Sequence, residues 1–173
     1  MNPFSVPVVL LHVAAQIGPN VDVGVEPGAG LVGGAVGAFL TTLIVGGILV
    51  AVAPGYTERM GASVLEEPVG AFVYGVVALL ALVVVTFLLA ITIVGILLAV
   101  PLALVAYVVW AVGAAVAYLA IGDRLVGHED GWLKPLLVGA AINGVLTVTG
   151  IGGLIAFGIG ATGFGAVLRN WLG

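Results

Sequence analysis

The stretch "LLAITIVGILLAVPLALVAY", residues 88–107, lies within a run from Val69 to Gly122 that holds no Asp, Glu, Lys, Arg or His. As one helix that run would reach about 80 Å, against a hydrocarbon core of about 30 Å. It therefore has to fold back inside an apolar stretch. Near its middle stand Gly95, which weakens a helix, and Pro101, which lacks the amide a helix interior needs. Val100, preceding the proline, is pushed toward extended geometry. The expected hairpin has a first span at Val69–Val94, a turn at residues 95–100 and a second span at Pro101–Ile121, with proline near its start.

Composition sets the class. The 173 residues are 62% hydrophobic and 7% charged, where a soluble domain carries about 25% charged residues. So few charges do not cover a water-facing globule. The apolar runs are continuous rather than alternating, which argues for helices over a transmembrane barrel. The sequence predicts an all-α, polytopic integral membrane bundle. Cysteine is absent, which removes disulfides, thiolate metal sites and Cys nucleophiles. The bases are Arg59, Arg124, Lys134 and Arg169 alone, too few for a nucleic-acid footprint. Eight acids against four bases, with a single Lys, suit a high-salt prokaryote such as a haloarchaeon.

Outward from the central hairpin, Gly28–Ala53 reads as the first span. The polar loop "PGYTERMGASVLEEP" follows, with Tyr56, Met60 and Val64 at i, i+4 and i+8, a stripe expected on the membrane surface. After "GDRLVGHEDGWLK", the last apolar stretch, Pro135–Leu168, is interrupted by "TGIGG" at 149–153. Each half is marginal for a crossing. Two readings stay open, namely two short spans, the preferred one, or a re-entrant hairpin. The total is about five spans. With the N-terminus outside and the C-terminus inside, all four bases fall on the inner side, as the positive-inside rule asks. Tyr56, Trp132 and Trp171 mark the same interface. Residues 1–27 form an extracytoplasmic or interfacial segment, because "VPVVLLHVAAQI" is too short to span and lacks the basic start of a secretory signal. Residues 28–173 form a single transmembrane domain in the plasma membrane.

Little in this chain carries chemistry. "GIGATG" matches G-x-G-x-x-G, yet it lies in an apolar span close to the chain end, without the strand or the downstream acid of a dinucleotide site. Small residues at helical spacing offer the better reading. Gly152, Ala156 and Gly160 form one packing face, and Gly30 with Gly34 and Gly33 with Gly37 form another, within the chain or between copies. "GHEDG" reads as a solvated loop with Asp130 near the next helix start, and the other histidine, His12, is expected on the opposite side. No metal, cofactor or catalytic constellation is expected. Within the spans Asn143 is the one amide, expected to bond between helices or to line a pore.

One resemblance adds to this. "TIVGILLAVPLAL", preceded by "APGYTERM" and "EEPVGAFVYG", continues into "AAVAYLAIGDRLVG" and ends in the Gly-rich "GIGGLIAFGIGATGFG". Over residues 40–170 this resembles an uncharacterised polytopic membrane module of archaea and bacteria, found alone or fused to bactofilin-type polymer-forming domains. Here Leu97 stands where that pattern has proline, and no β-helix segment accompanies the spans. The module has no catalytic residues to carry over. What the resemblance implies is anchoring or organisation of an envelope or cytoskeletal assembly.

The expected function is therefore a non-enzymatic membrane scaffold or anchor that packs with itself or with a membrane or cytoskeletal partner. Its docking loop is 54–68, with Glu58, Arg59, Glu66 and Glu67. The alternative is a channel or facilitator for ions or small solutes, running beside Asn143 and the 149–165 hairpin. Membrane lipid is the expected surrounding, and no nucleic acid is expected as a partner.

Overall fold

The computed structural model describes residues 27–149 and 151–172. The expectations placed on residues 1–26, the interfacial apolar piece and His12 among them, lie outside the described residues. The chain divides into two units, 1–30 and 31–173, and packing is described for the second. Among the described residues the elements are all helical: α1 Pro27–Val52, α2 Pro54–Glu66, α3 Pro68–Ala90, α4 Ile93–Val126, α5 Leu133–Val148 and α6 Gly152–Leu172. Proline opens α1, α2 and α3. At that position its missing amide would be unpaired anyway and its fixed φ suits a helix.

Four of these helices are long and apolar enough to cross a membrane: α1, α3, α4 and α6. Their outer faces carry Val52, Leu97, Leu154 and many others at more than half their full exposure. Such faces match hydrocarbon and not water, and they mark the chain as a membrane protein. α5, at 16 residues, would reach only about 24 Å. The expectation that both final helices are short therefore holds for α5 alone. α6 runs 21 residues because it continues through Arg169 to Leu172. A cation in the last turn faces the negative end of the helix dipole, so it extends the helix rather than ending it.

The hairpin turn lies earlier than residues 95–100. α3 stops at Ala90, and Thr92, in extended geometry, caps α4 by accepting a hydrogen bond from the Gly95 amide at 2.9 Å. Gly95 does not break the chain. It lets the corner close, because a Cβ there would overlap the Leu89 carbonyl oxygen and the Thr92 hydroxyl. Pro101 sits inside α4. It comes two turns after the cap, where a membrane helix tolerates proline because neighbouring helices and local adjustment re-satisfy the freed backbone groups. The same corner recurs between α5 and α6. Thr149 bonds the Leu146 carbonyl, as Thr92 bonds that of Leu89, and Gly152 stands where Gly95 does. Both corners read L-x-x-T-x-x-G, as "LAITIVG" at 89–95 and "LTVTGIG" at 146–152.

α6 is the central helix. In its spanning window 44% of residues are buried, against 6–11% in the other three spans, and it packs on α2, α3, α4 and α5. It crosses α3 at Gly75 and Gly165, and α4 at Gly113 and Gly163. α4 crosses α5 at Gly122 and Gly139. At each of these glycines a Cβ would overlap backbone of the facing helix. Hydrocarbon supplies no hydrophobic drive between helices, so contact of this closeness is what holds them together. Buried alanines, among them Ala71, Ala117, Ala161 and Ala166, fill the space around the crossings.

α2 corrects one expectation. Its stripe does not lie on a membrane surface. Met60 and Val64 are buried at 3% and 5% exposure, in a cluster with Ala71, Val116, Ala117 and Ala166, and Tyr56 packs against it. The period was right, and the surface it meets is the bundle itself. α4, at 34 residues, would be about 50 Å long, which exceeds the hydrocarbon. α2 covers its far end, where Gly61 meets Ala120.

Candidate docking face

Among the described residues the charged side chains gather at one end of the bundle. Turning one stripe of α2 inward turns the opposite one outward, so Glu58, Arg59, Glu66 and Glu67 are exposed. The helix stays regular because Thr57 and Ser63 donate their hydroxyls back to the Ala53 and Arg59 carbonyls, and Arg59 Nε donates to the Gly55 carbonyl. Glu67, at the α2–α3 junction, accepts from Arg169 Nη1 on α6 at 2.6 Å. That pair ties the far end of α6 to the α2–α3 junction. Glu67 is largely open to solvent and Arg169 partly so, so the pair stabilises by less than about 1 kcal/mol. Burial in the α2 interface raises the Tyr56 phenol above its ordinary value, so it stays protonated at neutral pH.

The α4–α5 corner forms the facing wall. α4 ends at Gly127, whose φ of 68° is open to glycine and strained for most side chains. The chain then folds back on itself. His128 Nδ1 lies 2.6 Å from Asp123 Oδ1, and the imidazole stacks on Trp132 with ring centres 4.4 Å apart and planes 8° apart. Asp130 pairs with Lys134 four residues on rather than capping α5, whose N-cap is Trp132. The loop "GHEDG" is thus exposed but wired to both flanking helices. Between this corner and α2 lies a cleft of about 340 Å³ that Glu58, Asp123, His128 and Trp132 share.

The packing residues read from sequence are placed unevenly. Gly160 meets the Trp110 ring, Gly34 touches Thr147 in ordinary contact, and Gly152 serves the corner. Among the described residues nothing stands within 4 Å of a Cβ added at Gly30, Gly33 or Gly37, and Ala156 is half-buried. Within the chain, the described crossings of backbone on backbone use Gly75, Gly113, Gly122, Gly139, Gly163 and Gly165. In sequence these were hidden among 28 glycines, since only the partner helix says which face is used. Asn143 does bond between helices: its Nδ2 donates to Thr42 Oγ1 at 2.7 Å and to the Ala38 carbonyl at 3.3 Å, tying α5 to α1. The Asp123–His128–Trp132 assembly was missed. Its signal was an acid one turn before a Gly stop, followed by His and Trp.

Among the described residues no group of three or more His, Asp and Glu side chains is placed to hold a metal ion. The family model described as "Domain of unknown function (DUF8173)" matches residues 4–172. The chain belongs to that family. The match takes in the polar segment 54–68, both L-x-x-T-x-x-G corners and the Gly-rich last helix. No curated protein matches the chain, and no solved structure does.

Proposed function

We propose that this protein is a non-enzymatic integral membrane scaffold or anchor, whose polar end docks a partner of the envelope or cytoskeleton, in a prokaryotic plasma membrane. The observation that carries the reading is the construction of the bundle. Backbones touch at three glycine crossings along the bundle, while among the described residues the exposed charges collect at one end, part of them on a helix that the core clamps in place. Rigid packing below a fixed polar platform is what an anchor needs. The partner proposed for it is a polymer-forming, bactofilin-like assembly on the cytoplasmic side, or a second copy of the chain.

A conduit is less well supported. The amide of Asn143 is engaged with Thr42 and Ala38. The larger cleft, about 640 Å³ between α3, α4 and α6, is lined by Val83, Phe87, Tyr107, Trp110 and other nearly all-apolar surface. It suits hydrocarbon tails rather than a hydrated solute.

The test is co-purification from prokaryotic membranes in mild detergent. A stable set of partner proteins is expected with the native chain, reduced when Glu58, Glu66 and Glu67 are replaced together by Gln. Partners that remain unchanged would remove the docking loop from the proposal. Flux of ions or small solutes through liposomes holding the purified chain, abolished by Asn143→Leu, would replace the scaffold with a channel.

A further inference from the structure

We infer that the cleft between α2 and the α4–α5 corner receives a lysine or arginine side chain that a partner protein presents beside an apolar residue. The inference rests on the scaffold reading and specifies where the partner's contact is made. The cleft, at about 340 Å³, is of the size that takes a small group rather than a whole helix. Its floor is apolar. Gly61 and Ala120 are buried where α2 meets α4, and Leu65 and Leu119 flank them. Its rim is acidic, with Glu58 on one wall and Asp123 on the other, and no Lys or Arg lines it. Lysine and arginine are the side chains that join an apolar stem to a cationic head. One such residue satisfies floor and rim together.

The rim is also held in position. Asp123 meets His128 through Oδ1 alone, and His128 is fixed in turn by its stack on Trp132. Asp123 and Glu58 both line the cleft, so an incoming cation meets two carboxylates. A positioned carboxylate costs the complex less ordering entropy than a free one. Charge also decides between two sources of a cation. A phospholipid amine arrives with a phosphate, which would meet Glu58, Asp123 and the neighbouring exposed Glu129. A peptide cation brings no such repulsion.

The test titrates acetyl-Leu-Arg-Leu-amide into the full chain in neutral detergent micelles, following the Trp132 indole N–H signal by NMR. A second peptide replaces arginine with citrulline, which has the same shape and no charge. The arginine peptide is expected to give a saturable shift. Binding should weaken about fivefold with citrulline or in Glu58→Gln, and stay unchanged in Tyr107→Phe, which lines the separate apolar cleft between α3, α4 and α6. Equal binding of the two peptides, or indifference to Glu58→Gln, overturns the inference. So does a Trp132 signal that ignores the peptide but shifts when phosphatidylcholine nanodiscs are exchanged for phosphatidylethanolamine ones. A cleft that ignores the peptide while partners still co-purify refutes the receptor and leaves the scaffold standing.

Discussion

Asn143 and Tyr118 show how an apolar bundle treats its polar groups. Asn143 spends its amide hydrogens on α1, and such bonds between membrane helices stabilise by about 0.6–2 kcal/mol. Asn143→Leu is expected to lose about 1 kcal/mol, and a cycle with Thr42→Val to be clearly non-additive, measured by unfolding in mixed micelles. Tyr118 is the opposite case. It is 1% exposed, and its hydroxyl has no hydrogen-bond partner among the described residues. Tyr118→Phe removes an unpaired polar atom and keeps the ring, so it should leave stability unchanged or raise it by about 1 kcal/mol in the same assay. Asn143 was legible in the sequence as the only amide at depth. Thr42 was not legible as its partner, because that depends on which helices become neighbours.

At the scale of elements, span positions were legible because apolar runs are long and charges rare. The turns were harder. Proline and glycine are conspicuous breakers, yet the chain turns at Thr92, where a side-chain cap forms, and Pro101 is carried inside α4. The repeated L-x-x-T-x-x-G was the readable signal, and its chemistry needs Thr and Gly together. Gly95→Ala and Gly152→Ala should each destabilise by about 1–3 kcal/mol, seen as a lower melting temperature in detergent. α6 offers an internal contrast. Gly163→Ala drives a methyl into the Gly113 carbonyl and should cost about 1–3 kcal/mol. Gly158→Ala meets open space and should be neutral or stabilise by up to about 1 kcal/mol. Equal effects at the two glycines would contradict the placement of the crossings. α2 repeats the pattern of legibility. Its period was readable, but a stripe does not say whether lipid or protein will cover it.

At the scale of the molecule, the proposed anchor depends on sidedness. The Glu67–Arg169 pair, the α2–α4 contact at Gly61 and Ala120, and the shared cleft bring residues 54–68, the α4–α5 corner and the end of α6 together. The basic residues had pointed to that grouping, since Arg59, Arg124, Lys134 and Arg169 all fall in these segments. The cleft itself was not legible, because it needs a helix and a loop more than fifty residues apart to face each other. The chain contains no cysteine, so single cysteines report position without background. The most direct measurement labels Ser63→Cys, Glu129→Cys and Ile151→Cys in intact cells with a membrane-impermeant maleimide. Ile151→Cys should label from outside, and Ser63→Cys and Glu129→Cys only after the membrane is opened. If Ser63→Cys and Ile151→Cys label from the same side, the membrane anchor with a single docking end is wrong.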